Sequence, residues 1–375
     1  MSIPLPKDPI RIAHIVGKMK SGGVESVVMN YFRNIDRTKV QFDFIIDEDS
    51  TIVPYDEIES LGGRVYKIPP YQKPIAYHKK LVRLFSENKY CIVHSHINTL
   101  SVFPLFAAKR AGVPVRIAHV HSTAGKGELS RNIVKYALRP FSRLFPTHFL
   151  TNSDYAGRWL FGNRLYNSGK VKLVKNAIDL SKFAFDLQVR QSVREAFSVK
   201  DKFVLGHVGR FMKQKNHSFL IDIFEQIRLQ EPESVLLLVG EGELKTEIQD
   251  KVDKLKLSDY VHFLGVRDDV HKFFQAMDAF LFPSLYEGLG IVAIEAQAAG
   301  LKVVASDMVP EEAKITDDVI FIPLRQPAEK WAEIILDSSS RDRAAPTEQL
   351  VAAGYDIVAT AEKLIEIYFN FLERI

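Results

Sequence analysis

The chain alternates short apolar runs with stretches whose apolar residues recur every three or four positions. Ile10–Val16 (I-R-I-A-H-I-V) reads as a buried strand, followed by a loop at Gly22-Gly23 and a helical pattern from Val24 to about Asn34. Strands are expected at Phe42–Ile46, Val65–Ile68, Cys91–Val93, Val115–Val120 and Phe149–Thr151. Helices fall at about Ile75–Asn88 and in a segment ending at Ala111-Gly112. A polar stretch from about Ser181 to Asp201 follows, with no element assigned to it. The alternation then restarts with strands at Phe203–Val208, Val235–Val239, Val261–Phe263, Ala279–Phe282 and Val303–Val304, and with helices at Ser218–Gln230 and Ile291–Ala299. In the tail Asp356–Ile375, Ile357, Ala361, Leu364, Ile365, Tyr368 and Leu372 mark one amphipathic helix. Short strands alternating with helices predict α/β architecture with parallel sheets. The restart predicts two Rossmann-like, doubly wound domains, 1–185 and 186–355, with helix 356–375 packing back on the first. Ligands of such sheets bind beyond the carboxyl ends of the strands, so an interdomain cleft is the expected site.

Composition narrows this picture. A chain of 375 residues, 46% hydrophobic and 26% charged, is long enough for two cores. Cys91 is the only cysteine, which excludes an internal disulfide and fits a reducing, cytoplasmic compartment. The first eight residues lack the pattern of a signal peptide, and no apolar run approaches the roughly 18 residues of a membrane span. The net charge of +4 hides an asymmetry. Residues 1–185 carry 28 Lys and Arg against 14 Asp and Glu, a net of +14, whereas the remaining 190 carry 22 against 32, a net of −10. A basic half suggests an anionic partner, with nucleic acid and an anionic membrane surface as candidates; a solvated basic surface reads the same way.

Two constellations carry chemistry. Glu287-Gly288-Leu289-Gly290 lies between the strand Ala279–Phe282 and the helix that contains Glu295. Free N–H groups at a helix N-terminus favour a phosphate, and glycine lets the backbone approach it. Glu295 can accept two hydroxyl hydrogen bonds from a ribose, although an ordinary strand-to-helix turn with a surface carboxylate has the same spacing. The second is Gly209-Arg210-Phe211-Met212-Lys213-Gln214-Lys215, directly after Phe203–Val208. Arg210 supplies a planar fork and Lys215 a point charge, a pair suited to a diphosphate if both converge on the Gly288–Gly290 turn.

Taken in order, Gly22-Gly23-Val24-Glu25, Val208-Gly209-Arg210 with Lys215, His262-Phe263-Leu264-Gly265, and Pro283-Ser284 leading to Glu287, Glu295 and Gly300 resemble the retaining GT-B glycosyltransferases of the family 4 type, which include bacterial capsule and exopolysaccharide enzymes. The resemblance spans Ile10 to the terminal helix. It implies the GT-B fold with a C-terminal crossover helix, and a UDP- or GDP-sugar as donor. Arg210 and Lys215 would hold the diphosphate, beside the backbone at Gly288, Leu289 and Gly290. Glu287 would contact the transferred sugar, Glu295 the ribose, and the region around Val266 the base. Gly22 and Gly23 would bring the first domain's loop to the phosphates. His121, after the strand Val115–Val120, would touch the sugar as a catalytic residue, with a hydrogen-bonded structural histidine as the competing reading. No cofactor and no metal are expected; Asp47/Asp49 and Asp268/Asp269 read as loop or cap residues. Asn216, where glycine is frequent, and Gln297, where methionine is common, depart from the family pattern.

His94 and His96 alternate along a strand end, from which one of them, His96, is expected to face the cleft. Two such histidines without a third ligand make a poor zinc site. In Lys126–His148, Arg131, Lys135, Arg139 and Arg143 recur every four residues among Ile133, Val134, Leu138, Phe141 and Phe145, with Pro140 dividing the stretch into two short helices. This suits a peripheral place on an anionic membrane face; a core helix with a basic outer side reads similarly. The expected activity is transfer of a hexose to a hydroxyl of a lipid-linked or oligosaccharide acceptor in cell-surface polysaccharide synthesis. The alternatives are a nucleotide-sugar epimerase and a non-catalytic nucleotide-sugar-binding partner. Nucleic acid is not an expected partner, because no recognised motif accompanies the charge.

Overall fold

The computed structural model describes residues 8–20, 23–123, 129–338 and 343–373. The chain divides into two compact units, Met1–Ile178 with Gly354–Ile375, and Asp179–Ala353.

The first unit holds seven strands: β1 (Ile10–Gly17), β2 (Val40–Asp47), β3 (Arg64–Ile68), β4 (Ile92–Ser95), β5 (Val115–Val120), β6 (His148–Thr151) and β7 (Val171–Leu173). They form one sheet in the order β3-β2-β1-β4-β5-β6-β7, every pairing parallel. Ile12, Ala13, His14 and Ile15 are all buried. Helices cover both faces of the sheet, which is why β1 reads as a continuous apolar run and not as an alternation. One face packs on the helix Gly23–Asn34 and the terminal helix Ile357–Leu372. The other packs on Pro74–Asn88, Val102–Arg110 and Asp154–Phe161.

The chain re-enters this unit through a short parallel bridge between Ile178 and Asp356, made by Ile178 N–H to Tyr355 O and Ile357 N–H to Ile178 O. Asp356 then caps the terminal helix, accepting from Ala359 N–H at 2.8 Å. That helix buries Ile357, Leu364, Ile365, Tyr368 and Phe371. Each large apolar side chain so buried contributes roughly 1.5–3 kcal/mol, so the helix is part of the core.

The second unit's sheet contains β8 (Phe203–Val208), β9 (Ser234–Val239), β10 (Val261–Phe263), β11 (Ala279–Phe282), β12 (Lys302–Ser306) and β13 (Val319–Ile322), ordered β10-β9-β8-β11-β12-β13 and again parallel. Each sheet reverses its strand order once, between β1 and β4 and between β8 and β11. Ligands of doubly wound folds bind at such points.

Several elements were not assigned from the sequence. The strands β7 and β13 had not been assigned, and the stretch read as polar linker contains the helices Leu180–Phe183 and Leu187–Ala196. The second of these helices is held by arginines: Arg190 Nη2 meets Asp278 Oδ1 at 2.5 Å, and the buried Arg194 meets Asp278 Oδ2 at 3.2 Å. An inward face built from guanidinium groups leaves no apolar periodicity to detect.

Candidate active site

In the second unit the β8–β11 reversal point gathers charge. After β8 the backbone of Gly209–Phe211 lies against Gly240–Gly242, with Gly209 N–H donating to Val239 O at 2.9 Å and Phe211 N–H to Glu241 O at 3.1 Å. Gly240 has φ +138°, and a Cβ there would strike the Gly209 carbonyl, so only glycine permits this approach. The segment then turns through Lys213–Lys215 to Asn216, which caps the helix His217–Gln230 at φ 56°. That left-handed conformation explains why glycine is frequent at this position and why asparagine replaces it readily. The Asn216 amide also donates to Pro283 O at 3.1 Å, tying the turn to the end of β11.

Lys215 Nζ bonds Glu287 Oε1 at 2.7 Å, and Gln214 Nε2 bonds Glu287 Oε2 at 3.1 Å. The lysine also lies 4.8 Å from the Phe282 ring centre. Side-chain exposure is 15% for Lys215 and 7% for Glu287, so neither charge is well solvated and each depends on the other. Gly290, at φ +79°, caps the helix Ile291–Ala298, and a Cβ on it would meet Phe282. Gly288 faces open space and Leu289 is buried. Glu295 is partly buried, and burial pushes its carboxyl up to about 7 against the opposing pull of Lys182 and Lys215. Arg210 and Val266 are exposed. Gln297 is a structural bolt: its amide donates to Ala293 O and Ala313 O, and its Oε1 accepts from the N–H groups of Ile315 and Thr316. Sequence reasoning assigned no role to Gln214, although it lies within the Gly209–Lys215 segment, and none to Lys182, which belongs to no motif.

In the first unit the β1–β4 reversal point gathers imidazoles. His14 on β1 is in register with His94 on β4, and His96, His119 and His121 lie on the same side. The expectation that only one of His94 and His96 could face a given side is corrected: strand residues two apart share a face, and the two rings are 4.1 Å apart. The expectation of no further histidine nearby is corrected as well. His14, His94 and His96, and likewise His96, His119 and His121, bring three ring nitrogens within 4.8 Å of one another. These nitrogens meet in two files. His14 Nδ1 pairs with His96 Nε2 at 2.9 Å and His96 Nδ1 with His121 Nε2 at 3.0 Å. In the second file Tyr368 Oη meets His94 Nδ1 at 2.7 Å and His94 Nε2 meets His119 Nδ1 at 3.1 Å. Burial drives all five rings towards the neutral form, His14 down to about 3 and His121 to about 4, with mutual repulsion adding to the effect at His94, His96 and His119.

His121 is also clamped through its backbone. Asn98 Oδ1 accepts its N–H at 2.9 Å, and Asn152 Nδ2 donates to its carbonyl at 3.1 Å. Gly23 opens the helix Gly23–Asn34, while Gly22 lies outside the described residues. Asp47 is pushed up to about 6 by burial and by Asp49, Asp49 pairs with Lys18, and Asp269 pairs with Arg267 at 2.9 Å. Residues 124–128 of the basic segment also lie outside the described residues. Beyond them run the helix Leu129–Leu138 and a 3-10 turn Arg139–Arg143, on which Ile133, Val134, Tyr136 and Phe141 are exposed, as is Leu144 just after. No helix among the described residues is long and apolar enough to cross a membrane.

Residues 21–182 match the family described as Glycosyltransferase Family 4, and residues 189–346 that described as Glycosyl transferases group 1. The chain is 33% identical over 369 residues to the putative glycosyltransferase EpsF of Bacillus subtilis, covering 96% of each chain. It is 27% identical, over 80% of each chain, to an Escherichia coli UDP-Gal:α-D-GlcNAc-diphosphoundecaprenol α-1,3-galactosyltransferase. Its fold is similar to that of HepE of Anabaena in complex with UDP and glucose, with a TM-score of 0.77 and 20% identity over 96% of this chain and 99% of that one.

Proposed function

This chain belongs to the family 4 glycosyltransferases, and from that premise we propose that it transfers a hexose, with retention of configuration, from a nucleoside diphosphate sugar to a hydroxyl of a lipid-linked glycan. The observation that carries the reading is the Lys215–Glu287 pair beside the Gly290 cap of the helix Ile291–Ala298. An ammonium has three donors, so Lys215 can keep Glu287 and still bond a diphosphate oxygen. Arg210, exposed on the same segment, and the N–H groups around Leu289 and Gly290 supply the remaining donors. They stabilise charge as the diphosphate departs, which needs no metal ion. Glu287 then holds sugar hydroxyls, Glu295 takes the ribose hydroxyls, Val266 flanks the base, and Gly22 and Gly23 approach the phosphates. His121 of the first unit contacts the sugar. No carboxylate stands out as an enzymic nucleophile, so the acceptor hydroxyl attacks from the leaving-group side and the departing phosphate takes its proton. The UDP and glucose held by HepE and the diphosphoundecaprenol substrate in the E. coli enzyme's name support these donor and acceptor classes.

The exposed apolar residues of Leu129–Leu138 and the following turn, set among Lys135, Arg139 and Arg143, support attachment of the first unit to an anionic membrane surface. The function is tested by thermal-shift screening against UDP- and GDP-sugars, followed by transfer to a polyprenyl-diphosphate sugar in EDTA, with the product anomer read by NMR. Transfer with retention is expected. Donor hydrolysis or epimerisation without transfer would instead place the chain with the epimerases, and binding without turnover would make it a sugar-nucleotide-binding partner.

A further inference from the structure

The segment 283–287, which leads from β11 to the glycine turn, is held along its length by three consecutive residues after β8. Leu285 N–H donates to Gln214 O at 2.8 Å, and Asn216 Nδ2 donates to Pro283 O at 3.1 Å. Between them, Gln214 Nε2 donates to Tyr286 O at 3.0 Å and to Glu287 Oε2 at 3.1 Å, while Lys215 Nζ donates to Glu287 Oε1 at 2.7 Å. Both groups facing the Gln214 amide are acceptors, a carbonyl and a carboxylate, so its nitrogen and not its oxygen must point at them. A primary amide has two N–H groups, and both are thereby committed.

The two holders of Glu287 respond differently to an anion. Lys215 carries a full charge and keeps donors to spare. A diphosphate arriving beside it attracts the ammonium and repels the carboxylate that the ammonium was holding. Glu287, with 7% side-chain exposure, has little water to take the place of a lost partner. The Gln214 amide is neutral, so the diphosphate exerts no net pull on it, and its other N–H is fixed on the Tyr286 backbone. It is the holder that stays when Lys215 is shared. A carboxylate offers about four lone-pair sites, so Glu287 held at one oxygen by Gln214 still has acceptors for hydroxyls.

We propose that Gln214 is the positioning residue of Glu287: its amide keeps the carboxylate in place while Lys215 turns to the diphosphate, so that the two ends of the donor bind at once. This rests on the transferase reading for the identity of the donor. It deepens that reading by giving a neutral side chain the task of separating the diphosphate contact from the sugar contact.

The test uses the full chain, with UDP and GDP as calorimetric probes and steady-state transfer from whichever UDP- or GDP-sugar turns over. Gln214→Met keeps the length of the side chain and removes both donors. It should lower kcat about 10- to 100-fold while the Kd for UDP or GDP stays within about twofold. Gln214→Asn, too short to reach Glu287, should show the same split and carries the test if the methionine variant fails to fold. Because Gln214 acts through Glu287, adding Gln214→Met to Glu287→Gln should change kcat by less than about twofold. Turnover equal to the parent's in both Gln214 variants would overturn the proposal. So would losses that add in the double variant, or a fall in nucleotide affinity as large as the fall in kcat, since either would mean that the loop as a whole had moved. A parent that binds neither UDP nor GDP would remove the donor reading and the proposal with it, whereas normal nucleotide binding beside unimpaired Gln214 variants would remove the proposal alone.

Discussion

At the reversal point of the first sheet five buried imidazoles carry no charge, whereas at that of the second an ammonium and a carboxylate face each other 2.7 Å apart, with Glu295 close by. Net charge runs the other way: residues 1–185 sum to +14 and the rest to −10. The half proposed to bind a diphosphate is therefore the acidic one. Overall charge reports what a surface attracts; a bound anion responds to the few groups at a strand end. The basic half's excess belongs to its outside, including the face around Arg139 and Arg143, and not to its site.

The contrast predicts different responses to acid, and this is the largest effect expected. Histidines held neutral by burial have folded pKa values below their unfolded value of about 6.5. As pH falls below 6.5 the unfolded chain takes up protons that the folded chain refuses, and stability present above that pH is lost. Each such group contributes up to about 1.4 kcal/mol per pH unit. The first unit has five; the second has His207 and His217 buried in the same way. Glu295 has the opposite sign. Its folded pKa of about 7 lies above the unfolded value, so its contribution is present at low pH and is lost as pH rises through 7. Hydrogen exchange followed from pH 7.5 to 5 should therefore show β1, β4 and β5 opening before β8 and β11. Equal or reversed opening would remove the neutral-cluster account.

The next effect should fall on the charged site alone. Lys215→Ala strips Glu287 of its cation and the donor of a phosphate partner, and Arg210→Ala removes the exposed fork. Each should cost roughly 2–4 kcal/mol in nucleoside diphosphate affinity by calorimetry. The double variant should lose less than the sum, since both serve one diphosphate. Unchanged affinity in the double variant would move the diphosphate elsewhere. The smallest effect concerns the outside of the basic unit. Reversing Arg131, Lys135, Arg139 and Arg143 to Glu should weaken sedimentation with anionic vesicles by about 1 kcal/mol per residue, and salt should do the same. Donor affinity should not change. Vesicle binding that survives both treatments would point to apolar insertion instead.

The difference between the sites also explains what the sequence disclosed. The second site is nearly local: Gly209 to Lys215 follows one strand, and Glu287 to Glu295 follows the strand beside it, so two short motifs and the family resemblance they carry named its candidate residues. The histidine files are not local. They exist because β1, β4 and β5 are sheet neighbours, an order set by tertiary packing, and because residues two apart on a strand share a side. From the sequence, His14 was one more residue of the strand Ile10–Val16. Leu187–Ala196 was hidden for another reason, since its buried positions are arginines paired with Asp278 and not apolar side chains. β7, with three residues of which Lys172 is exposed, was too short for its pattern to register.

The central claim, that the acidic second unit and not the basic first one holds the nucleoside diphosphate, is tested most directly by hydrogen–deuterium exchange with and without saturating UDP, followed by mass spectrometry. Protection should appear at residues 209–216 and 284–298 and be lost in Lys215→Ala. Protection confined to residues 92–98 and 115–121, with the second unit unchanged, would contradict the account.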